Sequence, residues 1–368
     1  MILAPFGHPF YVMAKPAGSS CNLNCRYCYY LSKGRGRMDE ALLEEFVRQY
    51  IEAQTQPNIL FTWHGGEPLL LPILYYTRAM ELQRKYARGR HIDNCLQTNG
   101  TLLTDEWCEF FRENHFLIGI SIDGPEWMHN GYRQQFDETM RGVRLLQKHG
   151  VEWNVMATVN HLNADHPVEF YRFFKEIGCE YLQFTPVVER SQGCVTPESV
   201  QPDQWGRFLV SLYDEWIKED VGRVFVQLFD ATLANWVGVE PGVCSMSARC
   251  GLSTALQPDG TLYCCDHFVF PEYRLGNLRE KTIAEMVYSE QQAKFGNDKY
   301  DALSQRCRQC RWLFACHGEC PRNRFLPDRE NYLCEGYHQF FAHVAPTMDL
   351  MARELAAGRP AANVMNAI

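Results

Sequence analysis

Residues 21–30 read Cys21-Asn22-Leu23-Asn24-Cys25-Arg26-Tyr27-Cys28-Tyr29-Tyr30, and they follow an apolar run at 10–13. The thiols stand as C-x3-C-x2-C. Three thiolates at this spacing hold three irons of a [4Fe–4S] cluster and leave the fourth iron open, whereas cluster sites ordinarily take four cysteines. A cluster with an open iron is one that binds something else. Structural zinc sites close with four ligands, which sets this triplet apart from a zinc knuckle.

The 368 residues give room for a large α/β domain and a smaller second one. The hydrophobic fraction of 46% is that of an ordinary globular protein. No stretch approaches the roughly 18 apolar residues of a membrane span, so no membrane partner is expected. Residues 1–10 lack a basic segment followed by an apolar core, so a secretory signal is not expected and a cytoplasmic location is. A net charge of −8 without a long basic run argues against a nucleic-acid partner held through phosphates. Sixteen cysteines are many for a compartment where disulfides are rare, and the tight C-x2-C spacings point to metal binding. Cys95, Cys108, Cys179 and Cys194 fall outside such spacings and read as core or surface thiols.

Strand-like segments at 10–14, 59–63, 92–97, 116–122, 152–159 and 181–186 alternate with amphipathic stretches at 39–54, 73–87, 105–113, 137–149, 167–177 and 204–218. In the first stretch Leu42, Leu43, Phe46, Val47, Tyr50 and Ile51 recur at helical spacing, and Asp39 is placed to cap the start. Strand–helix units in a row imply a parallel sheet with helices outside. A doubly wound open sheet and a partial (β/α)6 TIM-like barrel both satisfy that pattern. Polar or glycine-rich motifs end each strand: the cysteine loop, W-H-G-G-E-P at 63–68, Q-T-N-G at 97–100, S-I-D-G-P at 121–125, Asn160, and Gln183 within the sixth. In a βα barrel those ends share the rim where active sites form. This pattern, together with the family resemblance given below, favours the α/β partial barrel, at 1–235, followed by a cysteine-rich domain at 236–337 and a helical tail at 338–368, with its helix over 339–357 and its last residues loosely ordered. The polar connection 189–201, with Gly193 and Pro197 and followed by Pro202, reads as a flexible surface loop.

The string C-N-L-N-C-R-Y-C-Y-Y resembles the cluster loop of the radical S-adenosylmethionine (radical SAM) enzymes, in which the amino acid end of SAM chelates the open iron. Gly65-Gly66-Glu67 resembles the GGE motif of that family. Its glycines permit close backbone approach, and its carbonyls with Glu67 are expected to receive the SAM ammonium. The resemblance also implies cofactor contacts from Tyr27, Ser121 and Leu182, polar contacts from Asp123, and an ion pair between Arg133 and the SAM carboxylate. A second thiol set comprises Cys244, Cys250, Cys265, Cys307, Cys310, Cys316, Cys320 and Cys334. It resembles the SPASM extension, which carries two auxiliary [4Fe–4S] clusters. Carried over from the family, Cys244, Cys250, Cys265 and Cys320 hold the first, and Cys307, Cys310, Cys316 and Cys334 the second. Spacing alone assigns Cys307, Cys310, Cys316 and Cys320 to one site. Cys264 competes with Cys265. The G-x4-C spacing from Gly260 favours Cys265, and neighbours on an extended strand point to opposite faces.

Over nearly the whole chain the resemblance narrows to the anaerobic sulfatase-maturating enzymes. F-T-W-H-G-G-E-P, L-Q-T-N-G-T-L-L, G-I-S-I-D-G-P, Y-L-Q-F, Y-C-C-D-H-F-V-F-P-E-Y-R-L-G-N and C-H-G-E-C-P-R-N-R-F carry it. Those oxidoreductases convert a serine or cysteine of a sulfatase precursor to Cα-formylglycine, with 5′-deoxyadenosine and methionine as co-products. The resemblance implies SAM and three [4Fe–4S] clusters as cofactors. It implies a sulfatase precursor polypeptide and a low-potential electron donor, such as flavodoxin or ferredoxin, as partners. It makes Asp266 the catalytic base and sets Tyr30 and His64 beside the substrate, glutamine being another form at the place of His64. The connection Gln134-Gln135-Phe136-Asp137 is shorter than the family's often glycine-containing one. The alternative function is another SPASM peptide modifier, such as a thioether-crosslinking maturase. A non-catalytic iron–sulfur or zinc scaffold is a third reading.

Overall fold

The structure, a computed structural model, describes residues 8–32, 34–191 and 194–367. Residues 1–7 of the N-terminal reading, and Gly193 of the 189–201 connection, lie outside the described residues.

In chain order the strands are β1 (Tyr11–Ala14), β2 (Asn58–Trp63), β3 (His91–Thr98), β4 (Phe116–Ser121), β5 (Trp153–Val159), β6 (Tyr181–Pro186), β7 (Arg190–Ser191), β8 (Cys194–Val195), β9 (Phe225–Val226), β10 (Ser253–Leu256), β11 (Thr261–Tyr263) and β12 (Arg274–Asn277). The main helices are α1 (Glu40–Ala53), α2 (Ile73–Tyr86), α3 (Asp105–Glu113), α4 (Glu126–Tyr132), α5 (Phe136–His149), α6 (Pro167–Glu176), α7 (Pro202–Trp216) and α8 (Gln227–Trp236), followed late in the chain by a long helix over Cys334–Ala356. The chain divides into two compact units. The first is Met1–Ser121, Gln135–Trp153 and Arg249–Asp298, and the second is Ile122–Gln134, Asn154–Ala248 and Lys299–Ile368.

In the first unit the strands run β12-β11-β10-β1-β2-β3-β4. The pairs β1–β2, β2–β3 and β3–β4 are parallel. On β2, Ile59, Phe61 and Trp63 alternate into the core, each at most 1% exposed, as period-two geometry requires. Phe46 and Tyr50 of α1 meet Phe61 at ring-centroid distances of 5.6 and 4.9 Å. The expected cap is present: the Asp39 carboxylate accepts the Leu42 N–H at 2.7 Å. In the second unit β5, β6 and β9 are parallel. There α7 lies so close to the helix Cys334–Ala356 that a Cβ on Gly206 would meet Gly336 Cα at 3.0 Å.

Four features depart from the sequence expectation. The segment 253–277 extends the sheet at the edge of β1, with β10 parallel to it from Tyr11↔Ser253 to Ala14↔Leu256. The connection 189–201 is not a free loop: β7 and β8 pair, and the Glu189 N–H donates to Ser199 Oγ at 2.9 Å. The C-terminal helix begins at Cys334, and the tail beyond it forms a 3-10 turn, Ala361–Asn366, with Val364 fully buried. The short connection before α5 manages without glycine because Gln134 (φ +81°) and Gln135 (φ +58°) are both left-handed. His129 Nε2–H donates to the Gln134 carbonyl at 3.0 Å and holds that turn.

Asp39 both caps α1 and pairs with Arg279. Asp39→Ala is expected to lower the unfolding free energy by about 1–2 kcal/mol, and Asp39→Asn, which keeps the acceptor, by less than about 1 kcal/mol. Urea denaturation of the two variants checks this.

Candidate active site

The cysteine loop has little regular structure of its own and takes its shape from the turns after β2 and β3. The Gly66 N–H donates to the Gly18 carbonyl at 2.7 Å, and the Glu67 N–H to the Ser20 carbonyl at 2.8 Å. A Cβ on Gly66 would stand 2.1 Å from the Ser20 oxygen; one on Gly65 (φ +136°) would stand 2.9 Å from the Gly18 oxygen. Only glycine permits this approach. The Glu67 carboxylate is fully buried. It accepts the Leu69 N–H, the Thr98 hydroxyl and the Asn99 N–H at 2.9, 2.7 and 2.9 Å. Its carboxylate braces the turn after β3, and the backbone of Gly65 and Gly66 stands beside it.

Asn99 carries that brace to the first thiol. Its Nδ2 donates to Asn22 Oδ1 at 2.9 Å and toward Cys21 Sγ at 3.8 Å, while Asn22 Nδ2 donates to Thr101 Oγ1 at 2.8 Å. The Leu23 N–H donates to the same sulfur at 3.3 Å. Burial raises the Cys21 pKa, and these donors oppose it. Cys21, Cys25 and Cys28 are all partly exposed. Three accessible thiols, the first with N–H groups aimed at its sulfur, beside a glycine cradle, fit a cluster held through three thiolates. Asn22, Asn99 and Thr101 join the site through contacts remote in the sequence. The polar run T-N-G-T after β3 was the available signal.

Tyr27 is partly exposed on the loop, and Ser121 Oγ accepts from Gln97 Nε2 at 3.0 Å. In the second unit Arg133 Nε lies 3.4 Å from Asp123 Oδ2, and the buried Asp123 accepts the Thr158 N–H at 2.9 Å. Leu182, 2% exposed, lies in β6 opposite Val155 and Val226.

Asp266 follows Cys265 at the start of a 3-10 turn. The Lys15 ammonium pairs with its Oδ1, and the Tyr29 hydroxyl donates to its Oδ2. Lys15 is fully buried, with Nζ 3.7 Å from the centroid of the Tyr30 ring. The Tyr30 hydroxyl is committed to Gln257 Oε1 at 2.6 Å, so Tyr29 is the tyrosine that reaches the carboxylate. Burial pushes the Asp266 pKa up, but the Lys15 ammonium, with smaller contributions from the His64 and His267 rings, outweighs it and holds the group below the usual carboxylate range. Burial, then Lys15, lower His64 to about 4; its Nδ1 accepts the Gly65 N–H at 2.7 Å, so the proton sits on Nε2. Lys15 and Tyr29 escaped the sequence reading because their partner is remote in the chain. Of the adjacent thiols, Cys264 is 1% exposed and burial pushes it up to about 12, whereas Cys265 is partly exposed.

Among the remaining thiols, Cys250 shares the first unit with Cys265. In the second unit burial, joined by Glu319 and neighbouring thiols, pushes Cys316 up to about 12, and burial with Cys307, against Arg306, pushes Cys334 up to about 11. Cys310 Sγ accepts the Trp312 N–H at 3.4 Å. Cys320 is raised by burial, by Glu319 and by Cys244. Glu319, 4% exposed, accepts from Asn331 Nδ2 at 2.5 Å, and the buried Lys299 ammonium donates to the carbonyls of Cys244 and Ser245 at 2.5 and 2.8 Å.

Two outcomes follow from this geometry. Gly66→Ala displaces the Ser20 backbone, so anaerobically reconstituted protein should lose about four of about twelve irons and keep the rest; iron assay and electron paramagnetic resonance check it. His64 and His129, both lowered to about 4 chiefly by burial, are neutral in the fold but take protons when unfolded. Stability should therefore fall as pH drops from about 6.5 to about 4, because the unfolded state binds more protons there. Thermal melts should show a shallower fall in His129→Gln, which cannot titrate.

The radical SAM superfamily profile matches residues 16–174, and the SPASM profile, an iron–sulfur cluster-binding domain, matches 249–311. The chain is 53% identical to a serine-type anaerobic sulfatase-maturating enzyme of Bacteroides thetaiotaomicron, over 99% of this chain and 96% of that protein. It is 40% identical to the serine-type enzyme of Klebsiella aerogenes, over 94% and 88%, and 32% identical to a cysteine-type enzyme of Clostridium perfringens, over 94% and 99%. A solved structure of anSMEcpe with bound AdoMet and the Cp18Cys peptide superposes with a TM-score of 0.88 at 32% identity, over 94% of this chain and 100% of that one. Streptococcus suis SuiB bound to S-adenosylmethionine shares the fold alone, with a TM-score of 0.63 at 14% identity, over 88% and 75%. Family profiles, relatives and fold agree, and the chain belongs to the anaerobic sulfatase-maturating enzymes, radical SAM oxidoreductases with a SPASM domain that use SAM and [4Fe–4S] clusters.

Proposed function

We propose that the chain oxidises a serine of a sulfatase precursor to Cα-formylglycine, with Asp266 as the acceptor of the serine hydroxyl proton. The observation that carries this is a buried carboxylate next to thiol Cys265, held in its ionised form by Lys15. Serine is favoured over cysteine because the relatives at 53% and 40% identity are serine-type and the cysteine-type relative stands at 32%.

Cys21, Cys25 and Cys28 would hold the SAM-binding cluster, and SAM with that cluster would supply the radical chemistry that removes a hydrogen atom from the substrate Cβ. The backbone of Gly65 and Gly66 would receive the amino end of SAM, with Tyr27 and Ser121 as further contacts, and by the family resemblance Arg133 and Leu182 are candidates for its carboxylate and edge. Cys244, Cys250, Cys265 and Cys320 would hold one auxiliary cluster, and Cys307, Cys310, Cys316 and Cys334 the other. His64, neutral at pH 7, offers its Nε2–H to the substrate, and Tyr30 supports the site from beneath Lys15. Serine oxidation removes two electrons and two protons. One of each leaves as the hydrogen atom, the second proton goes to Asp266, and the second electron passes to a carrier protein. Loss of that hydroxyl proton is far easier from a carbon-centred radical than from an alcohol, so an ionised carboxylate of low pKa suffices. A low-potential donor such as flavodoxin or ferredoxin, and a cytoplasmic location, complete the reading, since thiolate-bound clusters belong to a reducing compartment. Among the described residues no helix is long and apolar enough to cross a membrane.

A serine-containing sulfatase peptide incubated anaerobically with SAM and a reductant should lose about two mass units, and its cysteine counterpart about eighteen more slowly. Asp266→Asn should still cleave SAM but form no aldehyde. A normal aldehyde yield from that variant would remove Asp266 from its role. The variant leaves the Lys15 ammonium buried without its partner, and melts should show a loss of about 3–5 kcal/mol.

A further inference from the structure

We infer that Lys15 and Tyr29 are positioning residues for the proton acceptor: each holds one oxygen of Asp266, and together they fix the direction from which the substrate hydroxyl reaches it. The inference rests on Asp266 being that acceptor.

The Asp266 turn cannot orient its own carboxylate, because it is a three-residue 3-10 segment without a side-chain cap. The orientation comes from outside it. Lys15 stands just beyond β1 and takes Oδ1, while Tyr29 stands just after the last loop cysteine and takes Oδ2. Rotation of the carboxylate breaks both contacts at once. The partners are themselves immobilised. The Lys15 ammonium lies over the Tyr30 ring at 3.7 Å, the Tyr30 hydroxyl is tied to Gln257 at 2.6 Å, and the Tyr29 ring meets His267 edge-on at 5.5 Å.

The fold does not need a charge at position 15. The Lys15 N–H already donates to the Leu256 carbonyl at 2.9 Å, which serves the sheet whatever the side chain. A fully buried ion pair is costly to desolvate, and replacing both partners by apolar side chains of similar volume is often neutral or stabilising, so the fold by itself does not call for the pair. A lysine there is explained by what it holds. Misplacing a reacting group by about 1 Å costs on the order of 100-fold in rate, which is the penalty these contacts avoid.

The test uses anaerobically reconstituted holoenzyme and a serine sulfatase peptide, comparing wild type with Tyr29→Phe, Lys15→Met and Lys15→Arg. The readouts are formylglycine formed per 5′-deoxyadenosine released, and kcat and KM for the peptide separately. Tyr29→Phe should lower the product ratio about 10-fold and Lys15→Met about 100-fold, with iron content, SAM cleavage and peptide KM within about 2-fold of wild type. Lys15→Arg should recover part of the ratio, which a purely space-filling role would not produce. Wild-type ratios in Tyr29→Phe and Lys15→Met overturn the inference, as does a rise in KM at unchanged kcat. If Lys15→Met fails to load iron, Tyr29→Phe, which lacks a single oxygen, decides alone. Wild-type enzyme that cleaves SAM but makes no formylglycine refutes the reading of Asp266 and the inference with it.

Discussion

The backbone of Gly66 lies so close to Ser20 that a methyl group would not fit between them, and the rest of the site is organised by that approach. It lets two N–H groups of the β2 turn bond the segment that leads into the cysteine loop. It also turns Glu67 inward, where one carboxylate receives donors from its own turn and from the turn after β3. Asn99 then carries the order on to Asn22 and Cys21. A loop with few regular hydrogen bonds is thus given a defined shape by two neighbouring strand ends. Buried donors and acceptors left unmatched would cost about 1–3 kcal/mol each, so the network holds as a unit.

A second constraint places a buried ion pair beside that loop. The parallel pairing of β10 with β1 brings the segment 253–277 against the strand that ends at Ala14. Lys15 and Asp266 thereby meet, although they come from opposite ends of the first unit's sequence. Their ion pair is buried, and an effective dielectric well below that of water strengthens it while raising the cost of breaking it. The carboxylate stays ionised, the form in which it can take a proton. Tyr29, the residue after Cys28, ties the same carboxylate to the loop.

The regular elements were legible because each carries a local period. Ile59, Phe61 and Trp63 announce a strand by alternation, and Leu42 to Ile51 announce a helix by their spacing. Helix α4 and the strands β10–β12 were not legible. α4 has 7 residues and β10 has 4, too few for a period to show, and the partner that stabilises β10 lies far away in the chain. The same holds within the site. The cysteines and Gly65-Gly66-Glu67 are readable as a motif, but the bonds by which Glu67 braces Thr98 and Asn99 join residues about thirty positions apart and leave no local pattern. Tyr29 and Tyr30 are equivalent in the sequence. Only the packing of Gln257 and Lys15 around one of them gives Asp266 to the other.

The central claim is that a hydrogen atom leaves the substrate Cβ while Asp266 takes the hydroxyl proton. A serine peptide dideuterated at Cβ tests it most directly, by mass spectrometry of both products. The account predicts one deuterium in 5′-deoxyadenosine and an aldehyde peptide about three mass units lighter than its labelled parent. Unlabelled 5′-deoxyadenosine alongside oxidised peptide would contradict it.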